Sequence, residues 1–133
     1  MPASLDDILT NQKNGVAALN HLVAFINPAQ LIFRGAATTS TTNLYSMPTN
    51  ANRAIVSDIV VCNTSASSQT FSIYIVGVNQ SASAANAIFY IASIAANTSF
   101  HWTGNQVIVP GGFVAASASA TSVTFSITGA IST

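Results

Sequence analysis

Charge is what this chain most lacks. Of its 133 residues only 5% are Asp, Glu, Lys or Arg, three basic against three acidic, and the last of them is Asp58. An ordinary soluble domain carries roughly 25%. Nucleic-acid binding needs clustered Lys and Arg to displace counterions. Lys13, Arg34 and Arg53 are scattered, so no nucleic-acid partner is expected. Cysteine is nearly absent as well. Cys62 stands alone, which excludes an internal disulfide, and its place in an apolar strand pattern reads as a buried, inert thiol. Long apolar runs are missing too. A membrane span needs about 20 continuous apolar residues, and the best stretch, Ala82 to Ala96, is shorter and broken by Ser83, Asn86 and Ser93. No membrane partner is expected. The first residues carry Asp6 and Asp7 where a secretion signal would have a basic start before an apolar core, so the chain is expected to be made in a cytoplasm.

Reactive groups are equally sparse. Hydrolysis by nucleophilic attack needs a nucleophile, a base and an orienting acid, and only His21 and His101 are candidate bases. His21 falls in a helical pattern as a surface or interface residue. His101 sits between Phe100 and Trp102 in a strand pattern, as a packed or hydrogen-bonded residue. Asp6 and Asp7 are accounted for by a helix start. Asp58 has no second carboxylate and has Arg53, five residues earlier, as a candidate partner. Metal sites need clustered His, Cys or acids, and none is readable. Gly111-Gly112 lacks the strand–glycine–helix setting of a phosphate loop. The expectation is a protein without catalytic residues, metal or cofactor. Asn63-Thr64-Ser65, Asn79-Gln80-Ser81 and Asn97-Thr98-Ser99 match the N-glycosylation pattern, read as incidental to Asn- and Ser-rich turns.

What is present is apolar and patterned. Hydrophobic residues make up 50% of the chain, and its length suits one domain with a single core. Ser4 to Ile26 reads as an amphipathic helix, capped by Ser4 and stopped by Asn27-Pro28. Its apolar face comprises Leu5, Ile8, Leu9, Val16, Leu19, Leu22, Val23 and Ile26. Gly15 costs the helix about 1 kcal/mol relative to Ala, which marks a close contact or a break into two helices. An isolated helix of this kind is marginal, so the face must dock, either on its own sheet or on a partner.

The rest of the chain reads as strands. Gln30 to Arg34 and Leu44 to Met47 are short ones, separated by a Thr-rich loop. Ala54 to Cys62, nearly continuous in β-branched residues, suits a central strand buried on both faces, and Gln69 to Val76 is expected to pair with it as a hairpin. Further strands are expected at Ala87 to Ile94, Ser99 to Trp102, Gln106 to Val109, Phe113 to Ala118 and Val123 to Ile131. Gly104-Asn105 and Pro110-Gly111-Gly112 read as turns. The division is 1–28 as a helical anchor or oligomerisation segment, 29–52 as short strands and linker, and 53–133 as a β-sandwich. The fold class is mainly β, an antiparallel β-sandwich or jelly roll preceded by an N-terminal amphipathic α-helix.

Strand edges normally carry Lys, Glu or Pro against unwanted pairing, and Pro110 is the only such residue after Asp58. The edges are therefore expected to lie under the helix and loops or against neighbouring subunits. A net charge near zero favours association, so self-association or incorporation into a larger assembly is expected.

The segment Gln106-Val-Ile-Val-Pro-Gly-Gly-Phe-Val-Ala-Ala-Ser, followed by Val123-Thr-Phe-Ser-Ile-Thr-Gly, resembles the C-terminal half of small β-sandwich virion proteins of tailed bacteriophages. The opening Ser4-Leu-Asp-Asp-Ile-Leu is similar to segments that anchor accessory proteins to a phage particle. The resemblance covers about half the chain. It implies a structural role in capsid decoration, a head fibre, the neck or a tail accessory. It also implies location in the virion, other virion proteins and copies of itself as partners (a trimer favoured), and no catalytic residues. The alternative is a host-surface or glycan-binding module with Tyr90, His101 and Trp102 as its contact surface.

Overall fold

The computed structural model describes residues 29–51 and 53–132. The helix expected over Ser4–Ile26, with its face of Leu5, Ile8, Leu9, Val16, Leu19, Leu22, Val23 and Ile26, lies outside the described residues, as does His21.

Among the described residues eight strands follow one another: β1 (Gln30–Ala36), β2 (Thr42–Ser46), β3 (Arg53–Asn63), β4 (Gln69–Val76), β5 (Ala87–Ile94), β6 (Thr98–Ile108), β7 (Phe113–Ala118) and β8 (Val123–Ser132), with a 3-10 turn at Ala84–Asn86. They form two four-stranded sheets, the first in the order β1-β8-β3-β6 and the second in the order β2-β7-β4-β5. Every pairing is antiparallel. The first four strands pair in reverse with the last four, as though one long hairpin had been rolled up. Every connection except β4–β5 therefore passes from one sheet to the other. β1 and β2, the short strands ahead of the main strand block, are edge strands of the two sheets.

The core lies between the sheets. From the first come Val56, Ile59, Val61, Ile108, Phe125 and Ile127, and from the second Phe71, Ile73 and Val114, each no more than 2% exposed. Phe71 is the hinge of the packing. Its ring lies 5.7 Å from Phe89 of β5, 5.7 Å from Phe100 of β6 and 6.3 Å from Phe125 of β8, all tilted or edge-on. Such pairs add about 0.5–1.5 kcal/mol beyond the area they bury.

Three expectations are corrected by the pairing. β3 and β4 are not a hairpin: β3 lies between β8 and β6, while β4 lies between β7 and β5. Residues 64–68 supply ample reach for the roughly 10 Å between packed sheets. The strand buried on both faces is β4, where Phe71, Ser72, Ile73 and Tyr74 are all buried; the outward residues of β3, such as Ile55 and Val60, are half-buried. Gly104-Asn105 is not a turn but lies within β6, at a register shift opposite Val56 and Asp58. The glycine serves side-chain packing, since a Cβ there would lie 2.5 Å from the Trp102 ring.

The edges are handled by bulges. β1 slips register between Leu31 and Phe33, β2 between Asn43 and Tyr45, β5 opposite Phe71 to Tyr74, and β6 between Thr103 and Gln106. An extra residue twists an edge away from a foreign strand and does without charge what Lys or Glu does elsewhere.

A single buried polar side chain ties the sheets at one end. Asn63, fully buried at the end of β3, donates from Nδ2 to the carbonyls of Ser67 (2.8 Å), Ile94 (3.2 Å) and Ala95 (3.2 Å). Its Oδ1 accepts from the Ser65 backbone N–H at 3.0 Å and the Ser65 hydroxyl at 2.8 Å. The glycosylation pattern beginning at Asn63 is thus structural, its amide being enclosed and engaged.

Candidate functional site

Tyr90, His101 and Trp102 do not share one surface. Trp102 faces inward, half-buried, with its ring 6.3 Å from Phe89 and edge-on to it. Phe100 also faces inward, 5.2 Å from Phe89. Alternation along β6 turns His101 the other way, onto the outer face of the first sheet, where the side chain is 58% exposed. The Phe100-His101-Trp102 run is therefore not a stacking platform. Two of its rings are packing, and one is a surface imidazole.

His101 is paired with Asp58 through Nε2 and Oδ1. The register sets Val60 opposite His101 and Thr103 opposite Asp58, so the two side chains meet on a diagonal between β3 and β6. The residues are 43 apart in sequence, and no local pattern could have joined them. An imidazole held by a carboxylate is half of a general-base arrangement. Among the described residues no hydroxyl or thiol is hydrogen-bonded to that imidazole. The pair is open to solvent, where ion pairs are worth about 0–1 kcal/mol. Cys62 is a half-buried free thiol, and no group of three His, Cys, Asp or Glu residues suited to a metal ion occurs among the described residues.

The second sheet has the more distinctive surface. Its outer face is divided. Over one half, residues 77–86 fold back, and Ala82 and Ala87 cover Tyr74, Val76 and Ala115 in a small apolar cluster of their own. The covering loop is held internally: Asn86 accepts from the Ser83 N–H at 3.0 Å and donates to the Ser81 carbonyl at 2.9 Å. The other half is left uncovered by the described residues. A depression of about 230 Å³ is lined there by Thr70, Ser72, Ile91, Ser117 and Ser119, with Phe71 and Ala118.

The rim of this depression is the β5 bulge. Phe71 pairs with Ala92 and Ile73 with Phe89, so Tyr90 and Ile91 together oppose the single residue Ser72. The Ser72 hydroxyl fills the gap in the ladder by accepting the Ile91 N–H at 2.9 Å. Ile91 has φ of 50°, left-handed backbone that Asn79 (58°) and Asn97 (55°) adopt easily and a β-branched residue does not. Such a conformation costs of order 1–3 kcal/mol and persists where its surroundings impose it. The result is two large side chains turned to solvent, Tyr90 56% and Ile91 60% exposed. Tyr90, a contact candidate in the sequence for its aromatic ring, is exposed. Ile91 was no such candidate, because nothing in Ile88-Phe-Tyr-Ile marks a bulge.

The hydroxyls are not all occupied. Ser119 Oγ accepts the Thr70 N–H at 2.9 Å and donates to Gln69 Oε1 at 2.6 Å. Among the described residues, the Thr70 and Ser117 hydroxyls have no hydrogen-bond partner, and Ser72 accepts without donating. The second sheet has no Asp, Glu, Lys or Arg in any strand, whereas Arg34, Arg53 and Asp58 all lie in the first. The depression is therefore a neutral hydroxyl surface beside an aliphatic and an aromatic side chain. Neither a protein-family model nor a curated protein matches the chain.

Proposed function

We propose that the chain is a non-enzymatic structural protein of a bacteriophage particle. In this reading it assembles into the virion or decorates it, as a capsid decoration, head-fibre, neck or tail accessory protein. Its partners are copies of itself, as a trimer, and other virion proteins. The observation that carries the reading is the strand order, 1-8-3-6 against 2-7-4-5. A long hairpin rolled into two facing sheets is a jelly roll, an architecture frequent among viral capsid and lectin domains. That is an argument from fold, and surface chemistry adds to it. The second sheet is free of charge, so a neighbouring protein can cover it without desolvating ions. Bulged edges direct such contact to faces and loops and away from strand-to-strand pairing. In this scheme the segment 1–28 attaches or oligomerises, and the sandwich packs or projects.

The test is the mass of the purified chain in solution, with and without residues 1–27, in low and high salt. An oligomer of nearly unchanged affinity across the salt range is expected, since few charges are available to screen. Its loss on deletion assigns assembly to the first segment, and its survival assigns it to the sandwich. A monomer at high protein concentration, or a complex that salt dissolves, overturns the reading.

A further inference from the structure

We infer that the half of the second sheet that no described residue covers, between the β5 bulge and β7, binds a neutral saccharide, one ring at a time. The inference does not rest on the assembly reading, but it reserves this half of the face for a ligand and leaves assembly to the segment 1–28 and the remaining surfaces. The site is not the Trp102 surface that the sequence pointed to.

Four features converge there. The first is size: about 230 Å³ falls below the roughly 300–1,000 Å³ of pockets for drug-sized ligands and suits a single sugar ring. The second is hydrogen-bonding capacity. Among the described residues the Thr70 and Ser117 hydroxyls are unengaged, while Ser72, buried, holds the Ile91 N–H beneath them. Each of the two free hydroxyls serves as donor or acceptor, which is what the hydroxyls of a saccharide require. The third is an apolar partner for the C–H face of the ring. Ile91 lies on the rim and Tyr90 beside it, both more than half exposed. The fourth is charge. With no formal charge in the strands of the second sheet, nothing there attracts a phosphate, a carboxylate or an ammonium group.

The strained bulge gives the site its rigidity. Ile91 is held in left-handed backbone by the Ser72 hydroxyl at its N–H, so the rim is set before a ligand arrives. Preorganised contacts lose less on binding than contacts that must first be ordered.

The experiment is an amide-shift titration of the isotopically labelled full chain with the methyl glycosides of glucose, galactose, mannose and N-acetylglucosamine. Sialic acid serves as the anionic comparison. At least one neutral glycoside is expected to give saturating shifts at Thr70, Ser72, Ile91 and Ser117, with Kd on the order of 1–10 mM and no dependence on salt. Sialic acid gives none. Ser117→Ala weakens binding about fivefold, the loss of one hydrogen bond, and Ile91→Gly weakens it about as much. Arg34→Gln, on the other sheet, leaves it unchanged. Failure of all four neutral glycosides to saturate these amides overturns the inference, as do shifts centred on Trp102 and His101 or equal affinity in Ser117→Ala and Ile91→Gly. Shifts that follow protein concentration and not sugar make the face a contact between copies, which also overturns it.

Discussion

The two sheets share one core and differ in what they show to the outside. The first carries Arg34, Arg53, Asp58 and His101, with Ile55 and Val60 half-buried and Leu31 and Val107 exposed among them. The second carries no formal charge. It hides half of its outer face under its own β4–β5 loop and leaves hydroxyls on the other half. A face that must stay wet needs groups that hold water, and ions hold it best. A face that exchanges water for a partner is better served by Ser and Thr, whose desolvation costs far less than that of an ion. The division of charge between the sheets thus sets a face that holds water by its ions against one whose polar groups are cheap to desolvate.

Four substitutions test that comparison, in order of expected effect. Phe71→Ala removes a ring that touches β5, β6 and β8 together and should lower unfolding free energy by about 3–5 kcal/mol in denaturant melts. A loss below about 1 kcal/mol would mean that the sheets do not depend on a common core. Asn63→Ala takes one donor from each of the carbonyls of Ser67, Ile94 and Ala95 and removes the acceptor of the Ser65 N–H. Of these carbonyls, Ser67 and Ala95 keep the Ser65 and Thr98 hydroxyls. The expected loss is about 2–3 kcal/mol, each unpaired buried group costing about 1–3, and amide exchange should rise first in the 64–68 and 95–97 turns. Ile91→Asn puts a residue suited to left-handed backbone at the bulge and should raise stability by about 1 kcal/mol. Were stability to fall instead, the exposed Ile91 side chain would be packing the second sheet and not serving its surface. Asp58→Asn breaks the exposed pair with His101 and should change stability by less than about 1 kcal/mol, with the change fading as salt is added. A larger effect would give the first sheet's face a structural weight comparable to the core's.

The strand positions were largely legible, because alternation and β-branching are local signals. Ala87 to Ile94 and Phe113 to Ala118 correspond residue for residue to β5 and β7. The errors are non-local. β3 and β4 follow each other across a polar turn, and sequence order alone made them neighbours. The partners of β3 in the fold are β8 and β6, with Val61 opposite Phe125 and Phe100. Gly104 resembled a turn residue because its actual reason, the Trp102 ring lying over it, is a contact that only the folded strand creates. Of the surroundings of the depression the sequence singled out Tyr90, which lies beside the lining, while Ile91, Ser72 and Ser117 carried no mark. A Ser in a strand reads the same whether it meets bulk water or lines a depression.

The sequence by itself determined the class of the protein. A chain with so few charges, one cysteine and short β-branched runs forms antiparallel strands around an apolar core, since burying those side chains is its main source of stability. The tertiary structure alone decided which strands pair, which sheet takes the charges, and where Asp58 meets His101 and Ile91 meets Ser72. The reason is the period of a strand. Side chains alternate every residue, so a one-residue slip or bulge reverses the face of everything beyond it. Bulges of that kind in β3 and in all four edge strands are settled by packing between residues far apart in the chain.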